Sequence, residues 1–246
     1  MFDASIGVIG GADGPTQVYA TGDMGLVGQF FNSGGLAVDS VNTLLIIYYI
    51  IFAFVVLLAY FIGNISPSIM LAKRHGIDIK KAGSGNAGTT NALRVLGKKA
   101  GVLTLVVDIL KGVVSVLLGG LICGHGCAML CVMAVMFGHI WPIVYRFKGG
   151  KGVATAFGAL LGLNPLLGLS ALGVVIVGVL VSQRMSVGSM LGALSFPVLC
   201  IFLEKDFIYL GIVLALIILI KHRANIKRLF KGEEPKLSIF DKEKKR

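Results

Sequence analysis

The chain has 246 residues, of which 56% are apolar and 14% are charged, and its mean hydropathy is +0.88. Soluble domains carry about 25% charged residues, so these values exclude an ordinary water-soluble protein. The formal net charge of +11 comes from basic residues that lie between apolar runs, which is a pattern of membrane topology, and we therefore predict no nucleic-acid partner.

The first segment in chain order is a glycine-rich extension over residues 1–40, which contains no lysine or arginine. Met1-Phe2-Asp3 lacks the positive n-region of a secretory signal peptide, so we expect the first apolar run to be retained as an anchor. Residues 41–234 form the predicted membrane domain. The charged residues 235–246 are predicted to be a tail on the cytoplasmic side.

Seven apolar runs divide the membrane domain, and each is predicted to be a transmembrane helix. A helix crosses about 30 Å of hydrocarbon with about 20 apolar residues, and the runs lack the alternation of barrel strands. The fourth run is short and ends at Asn164-Pro165, so it is alternatively a half-helix or a turned pair with the fifth. The predicted spans are Leu44–Ile62, Ala100–Leu121, Ala128–Tyr145, Val153–Leu163, Leu166–Ser182, Val187–Leu203 and Phe207–Ile220. The predicted fold class is an all-α integral membrane protein with seven transmembrane helices.

The basic residues predict the orientation of these spans. If the first span runs from outside to inside, nearly all of the 23 lysines and arginines fall on the cytoplasmic side. Lys205 is then outside, and Lys111 lies within a span. The positive-inside rule therefore predicts that the N-terminus is outside and that the C-terminus is in the cytoplasm.

Polar side chains inside the predicted spans are costly in lipid, which makes them candidates for function. Asp108 and Lys111 are three residues apart, so they share a helix face and can form an ion pair. His139 is a lone imidazole in the third span. Each of these residues either supports a site or makes a structural contact within the bundle. Cysteines recur at every fourth position over Cys123–Cys131, which we interpret as helix packing, and no metal site is predicted.

Segments on the cytoplasmic side combine cations with residues that suit oxyanions: "AGSGNAGTTNALRVLGKKAG", "RFKGGKGVAT" and "HRANIKRL". In the first two, glycines let the backbone approach a ligand closely and aim N–H groups at it. Each of these two also leads into a helix, whose N-terminus favours an anion. The GGKG sequence is too short for a Walker A loop, and flexible connections have a similar composition. Their recurrence on one face nevertheless predicts a phosphate-handling site there.

The stretches "GSGNAGTTNALRVLGKKAG", "DILKG", "GHIWPIVYRFKGGKGVAT", "RMSVGSM" and "HRANIKRLFKGEE" closely resemble, in order and spacing, the bacterial acyl-phosphate:glycerol-3-phosphate acyltransferases. The resemblance implies a small seven-helix enzyme of the bacterial plasma membrane whose active site faces the cytoplasm. It implies transfer of an acyl group from acyl phosphate to the 1-hydroxyl of glycerol 3-phosphate, which gives lysophosphatidic acid and phosphate. This is the first acylation of phospholipid synthesis, and it needs no cofactor. The implied partners are therefore acyl phosphate, glycerol 3-phosphate and the lipid bilayer.

The resemblance also assigns roles to residues by their position in the shared motifs. In the first motif, phosphate would be held by Ser84, Gly85, Asn86, Thr90, Asn91 and Arg94. In the second, glycerol 3-phosphate would be held by Lys148, Gly149, Gly150, Lys151 and Gly152. In the third, the segment would be shaped by Arg228 and Glu234, and the acyl-transfer point would be lined by His222 and Asn225. The catalytic residues among them are predicted to be Ser84, Arg94, Lys151, His222 and Asn225.

The base of the reaction is left open between two groups. His222 suits a general base, because an imidazole titrates near neutral pH, and the departing phosphate is an equal alternative. Ser84 as a covalent nucleophile is less favoured, since its neighbours resemble phosphate donors rather than an activating base.

Two features depart from this family. The chain reads "GNISPS" over Gly63–Ser68, where the family commonly has G-S-I-P-F-G, so Asn64 and Ser66 are in doubt as functional positions. "IGVIGGADGPTQVY", over Ile6–Tyr19, is instead similar to a segment of the membrane β-subunit of sodium-translocating decarboxylases. With the polar residues inside the spans, this likeness motivates the alternative function of a transporter or ion-coupled membrane subunit.

Overall fold

The computed structural model describes residues 5–9, 17–21, 23–33 and 41–237, and within them helices predominate. A small antiparallel hairpin pairs Val8 with Val18, so the expectation of an all-α chain missed one element. The strands are β1 Ser5–Ile9 and β2 Gln17–Thr21. The helices are α1 Gly25–Ser33, α2 Val41–Gly63, α3 Pro67–Arg74, α4 Thr89–Leu96, α5 Lys98–Cys123, α6 His125–Ile140, α7 Val153–Leu163, α8 Pro165–Ser182, α9 Met185–Leu203, α10 Ile208–Lys221 and α11 Arg223–Phe230.

Each apolar run that was predicted to be a helix contains one, but the helices differ in whether they can cross a bilayer. The third predicted helix does not reach Tyr145, because α6 ends at Ile140, just before Trp141-Pro142. In the described ranges, 5 are long and apolar enough, and the number becomes 6 if α10 and α11, bent by 56°, form one broken span. Helix α7 has 11 residues, which gives a length of roughly 17 Å against about 30 Å of hydrocarbon. The count of seven crossings therefore stays a prediction, as does the orientation.

Helix α6 is the centre of the bundle, since 72% of its most apolar window is buried. Small residues let the neighbouring helices approach it and each other closely. A Cβ atom on Gly138 would lie 2.0 Å from the carbonyl oxygen of Tyr60 in α2, and one on Gly158 would lie 2.0 Å from that of Ile109 in α5. Glycine is therefore required where α2 crosses α6 and where α5 crosses α7.

The described part of the N-terminal extension packs against the end of the bundle where α5 ends and α6 begins. Met24 and Val27 of this segment are buried in the main core. Asp23 accepts a hydrogen bond at 2.6 Å from the backbone N–H of His125, the first residue of α6. A carboxylate at this position caps a helix N-terminus and complements its dipole. Residues 10–16, in the middle of the decarboxylase-like segment, and residues 238–246 of the tail lie outside the described residues.

The opposite end of the bundle, hereafter the basic end, holds the glycine-rich loops and the first residues of α5. Tyr60 and Asn64, at the end of α2, fix the turn that follows α6. The Tyr60 hydroxyl donates to the Trp141 carbonyl at 2.8 Å, and the Asn64 Oδ1 accepts from the N–H of Val144 at 3.3 Å. This turn leads directly into the GGKG loop, so these contacts position that loop.

Candidate active site

The basic segments from all three motifs meet around one cavity of about 770 Å³ at the basic end. Its apolar wall comes mainly from α7, α8 and α9, with residues such as Phe157, Val175 and Phe196. The predicted site residues that line it are Ser84, Asn86, Thr90, Asn91, Arg94, Asp108, His139, Lys151, Gly152, His222, Asn225, Arg228 and Glu234. Gly85 and Gly149 line a smaller adjoining pocket, of about 240 Å³. Lys111, Lys148 and Gly150 line neither of these two cavities.

Asn91 holds the first glycine-rich loop in shape. Its side chain is buried, its Oδ1 accepts from the backbone N–H of Ser84 at 2.8 Å, and its amide donates to the carbonyls of Ile79 at 3.2 Å and Ala82 at 3.0 Å. Gly83 has a positive φ of 59°, and a Cβ there would lie 2.3 Å from Asn91 Oδ1. Both amide hydrogens are therefore used within the loop, and the phosphate contact predicted for Asn91 would have to replace one of them.

The GGKG loop docks on the last turn of α6. The N–H of Gly149 donates to the Ile140 carbonyl at 3.2 Å, and the N–H of Gly150 donates to the His139 carbonyl at 3.1 Å. These two N–H groups already have partners, so the expectation that they point at a ligand is wrong. A Cβ on Gly149 would lie 1.9 Å from the His139 carbonyl oxygen, so the glycines are needed for close packing. The loop then presents the side chain of Lys151 to the cavity.

A hydrogen-bonded network joins the GGKG loop to the last motif. The Lys151 ammonium donates to Asn225 Oδ1, and the Asn225 amide donates to Glu234 Oε1 at 2.6 Å. Glu234 also accepts from the Ser186 hydroxyl at 2.6 Å and from Arg228 Nε at 2.7 Å. Burial raises the pKa of Glu234, but these hydrogen bonds outweigh it and hold the pKa below its usual value. An ionised Glu234 therefore orients Asn225 and Arg228 at the cavity wall.

Ser186, in the first turn of α9, was not among the predicted site residues. It lies within "RMSVGSM", a stretch that carries the family resemblance, and this was the signal that could have singled it out. Its side chain is buried, lines the cavity and donates to Glu234.

Lys151 has an unusual environment for an ammonium group. Burial lowers the pKa of Lys151 to about 8, the cations Arg228 and Arg94 contribute to this lowering, and Glu234 opposes them. A nearby anion would favour the charged form. The side chain is therefore poised to gain or keep a proton when a phosphate binds.

His222 follows directly after α10 and lines the cavity with a buried imidazole. Its Nδ1 lies 2.8 Å from the carbonyl oxygen of Ile218. Because a carbonyl only accepts, Nδ1 carries the proton, and the other ring nitrogen, Nε2, has a free lone pair in the neutral ring. Burial and the neighbouring Lys151 lower the pKa of His222 to about 4. The ring is therefore neutral near pH 7 and able to accept a proton.

Beneath the loops, a buried polar cluster ties several helices together. The Lys111 ammonium lies 2.7 Å from Asp108 Oδ1 and 2.8 Å from His139 Nδ1, and it donates to the Ile65 carbonyl at 2.7 Å. Thr155, at the start of α7, lies 3.2 Å from the same ring nitrogen of His139. The sequence left a supporting role and a structural contact open for these residues, and the structure places them directly below the GGKG loop.

The residues of the departure over Gly63–Ser68 do not line the cavity. Asn64 and Ser66 are buried, and neither lines the cavity. Asn64 donates to the Tyr60 carbonyl at 2.7 Å, and the Ser66 hydroxyl lies 3.3 Å from that of Ser68. Their contacts support the break between α2 and α3.

The geometry thus defines a class: a bundle of apolar helices with a cleft whose one wall is cationic and whose other wall is apolar. Such a cleft suits substrates that combine a phosphate with an apolar chain.

A family model described as glycerol-3-phosphate acyltransferase matches residues 53–232. The glycerol-3-phosphate acyltransferase of Clostridioides difficile is 44% identical over 201 residues, which cover 76% of this chain and 97% of that protein. That of Thermoanaerobacter pseudethanolicus is 43% identical over 184 residues, which cover 74% of this chain and 93% of that protein.

Solved structures agree with these relatives. The crystal structure of PlsY (YgiH), an integral membrane glycerol 3-phosphate acyltransferase, in its glycerol 3-phosphate form matches with a TM-score of 0.73 and 34% identity. The match covers 76% of this chain and 96% of that chain. The lysophosphatidic acid form of PlsY matches with a TM-score of 0.70. The chain therefore belongs to the glycerol-3-phosphate acyltransferase family, which confirms the resemblance found in the sequence.

Proposed function

We propose that this acyltransferase moves an acyl group from an acyl phosphate to the 1-hydroxyl of glycerol 3-phosphate, which gives lysophosphatidic acid and phosphate. One observation carries the proposal: Arg94, Lys151 and His222 come from three distant segments and line one cavity that continues along an apolar wall. The cations suit the two phosphate groups of the substrates, and the wall suits the acyl chain.

The chemistry required of the protein is mainly positioning. An acyl phosphate is a mixed anhydride and is already activated, so the site needs to align the hydroxyl and to stabilise charge on the phosphate. Arg94 can bind a phosphate with two parallel hydrogen bonds, and Lys151 supplies a point charge. In the reaction, the hydroxyl oxygen bonds to the acyl carbon, the carbon–oxygen bond to phosphate breaks, and the hydroxyl proton leaves to a base. No cofactor enters this sequence.

The base is His222 or the departing phosphate. His222 offers the free Nε2 lone pair at the cavity, whereas its pKa of about 4 makes it a weak base. A His222→Asn variant separates the two groups, because its amide can still donate to the Ile218 carbonyl but cannot accept the proton. If turnover falls by a factor of roughly 10³ or more, the proton goes to His222, whereas a fall of about tenfold or less would assign it to the phosphate.

We further propose seven crossings with the N-terminus outside, so that the site faces the cytoplasm of a bacterial cell. The basic end carries the loops with Lys98, Lys148 and Lys151, which supports this orientation by the positive-inside rule. Single cysteines placed at Lys98 and at Lys205 of a variant without the native cysteines test it. A membrane-impermeant thiol reagent added to intact cells should label position 205 and leave position 98 unlabelled.

The activity itself is tested with purified protein in detergent or lipid. With acyl phosphate and glycerol 3-phosphate, phosphate and lysophosphatidic acid should form in equal amounts without coenzyme A. Acyl-coenzyme A in place of acyl phosphate is the matched control and should give no product. A folded sample that uses only acyl-coenzyme A would overturn the choice of donor.

The transporter alternative rested on Asp108, Lys111 and His139 inside the spans and on the likeness of Ile6–Tyr19 to a decarboxylase subunit. In the structure these residues contact one another in the buried cluster below the GGKG loop. Ion-dependent uptake into proteoliposomes is the measurement that would favour a transporter.

A further inference from the structure

His139 has one ring nitrogen engaged in the buried cluster and a second that is not. Its side chain is only 5% exposed, and its Nδ1 faces the Lys111 ammonium at 2.8 Å. Lys111 is itself 2.7 Å from Asp108 and donates to a carbonyl, which is the environment of a charged ammonium. Asp108 Oδ1 also lies 3.4 Å from Nδ1, but the Lys111 ammonium is closer. An ammonium group has donors and no acceptor, so the shorter contact requires Nδ1 to accept. The proton of the neutral ring is therefore on Nε2.

The Nε2 atom of His139 lies beside the GGKG loop. His139 lines the cavity, and a Cβ on Gly150 would lie 2.2 Å from Nε2, which places the nitrogen beside the turn that carries Lys151. Among the residues that the structure describes, Nε2 has no hydrogen-bond partner. Nε2 is not among the buried side-chain atoms that lack a partner, so it is accessible, and a donor that is open on the wall of a cavity can meet a ligand acceptor there.

We propose that His139 donates a hydrogen bond through Nε2–H to a phosphate oxygen of the ligand in this cavity. The inference deepens the proposed function and rests on it for the identity of the phosphate. Lys111 fixes the tautomer, and Asp108 fixes Lys111, so both act as positioning residues. No proton is transferred in this contact, since the ring is neutral and acts only as a donor.

A neutral donor has a physical advantage at this position. The cavity already contains the cations Arg94, Lys151 and Arg228, and a further cation would repel them whenever the site is empty. An imidazole N–H adds a directed hydrogen bond without adding charge. The same geometry requires glycine at position 150, since any Cβ there would collide with Nε2.

Two substitutions separate this role from a structural one. The His139→Asn amide oxygen can occupy the position of Nδ1 and accept from Lys111, but no atom reaches the position of Nε2. The longer His139→Gln side chain can place an N–H near the position of Nε2. We expect similar Tm values for the two variants, a loss of about 10-fold or more in kcat/KM for His139→Asn, and a loss several-fold smaller for His139→Gln. Equal, wild-type-like kinetics for both would overturn the proposal.

A spectroscopic readout on the wild-type protein covers the case in which the variants do not fold. Protein labelled with ¹⁵N-histidine is titrated with inorganic phosphate at constant pH, and the Nε2–H resonance of His139 is followed. We expect it to show the Nε2-protonated tautomer and to shift in a saturable way, as a new acceptor arrives. An Nδ1-protonated ring, or a resonance that phosphate leaves unmoved, would refute the contact. Because this titration needs no turnover, it is distinguishable from a failure of the acyltransferase assay.

Discussion

Arg94 and Lys151 are the side chains expected to carry most of the phosphate affinity. They come from α4 and from the GGKG loop, and both line the cavity. A charge-assisted hydrogen bond is worth about 2 to 3 kcal/mol. Arg94→Ala and Lys151→Ala should therefore each lower kcat/KM by about 10²-fold, as measured in the phosphate-release assay. Lys205→Ala is the matched control, because Lys205 lies at the end of the bundle opposite the basic end, hereafter the far end. Wild-type kinetics in both site variants would remove Arg94 and Lys151 from the site.

Lys151 also predicts a pH dependence. Because its pKa is lowered to about 8 in the free protein, the side chain is a cation below that pH and loses its charge above it. A doubly charged phosphate binds the cation, so KM for glycerol 3-phosphate should rise as the pH increases through about 8. In Lys151→Arg the guanidinium stays charged, and this rise should disappear. If KM rises equally in the wild type and in Lys151→Arg, the pH dependence belongs to another titrating group.

At the scale of residues, the sequence predicted the polar side chains of the site better than the backbone contacts. Lys151, His222 and Asn225 could be found from their motifs, and the structure brings them to one cavity. The partners of the Gly149 and Gly150 N–H groups could not be found from the motifs, because these partners are carbonyls of the last turn of α6. Which way a loop N–H points depends on the element on which the loop packs, and the loop sequence does not contain that information.

At the scale of elements, α1 and the preceding Asp23 dock on the bundle from outside the matched family region. The family match begins at residue 53, so Asp23 lies outside the matched region, whereas the α6 terminus that it caps lies inside. Helix α6 carries His139 and ends at the carbonyls that hold the GGKG loop. The cap at the far end thus supports the helix on which the site is built.

Asp23→Ala removes this cap. Loss of an N-cap costs about 1 kcal/mol, which corresponds to a fall in Tm of about 2 to 4 °C for a chain of this size. Asp23→Asn keeps an acceptor oxygen, so its Tm should fall by less than half of the fall in Asp23→Ala. Tm is measured by thermal unfolding in detergent, with kcat/KM as the second readout, which should stay unchanged. A Tm of Asp23→Ala equal to that of the wild type would show that the cap does not contribute to stability.

Helix positions followed from hydrophobicity, whereas the breaks between helices depended on contacts. Each predicted run contains a helix, although the third helix ends at Ile140 rather than at Tyr145. The short fourth run is α7, and it ends just before Asn164, whose side chain caps α8. The bend of 56° after Lys221 was not predicted. It places His222 at the cavity, with its ring held by the last turn of α10, and hydropathy gives no signal for such a bend.

At the scale of the whole molecule, the two ends of the bundle differ in chemistry. The basic end combines the cation-lined cleft with an apolar wall that runs along α7, α8 and α9. The far end instead has a partly buried carboxylate contact, in which Glu204 hydrogen-bonds with Asn164 and His125. A substrate with a phosphate and an acyl chain is therefore expected to bind only at the basic end, while the far end contributes to stability.

This division predicts the result of deleting residues 1–40. The matched family region, over 53–232, contains every residue proposed to take part in the transfer reaction except Glu234. The deletion leaves the cavity lining intact, so kcat and KM should stay within about an order of magnitude of the wild-type values. It also removes Asp23 and the buried Met24 and Val27, so Tm should fall by more than it does in Asp23→Ala. Assays should be run well below the lower Tm, with size-exclusion elution as the check on folding. Complete loss of activity in a folded, monodisperse sample would show that the extension takes part in the reaction, because a purely stabilising element cannot abolish turnover in protein that remains native.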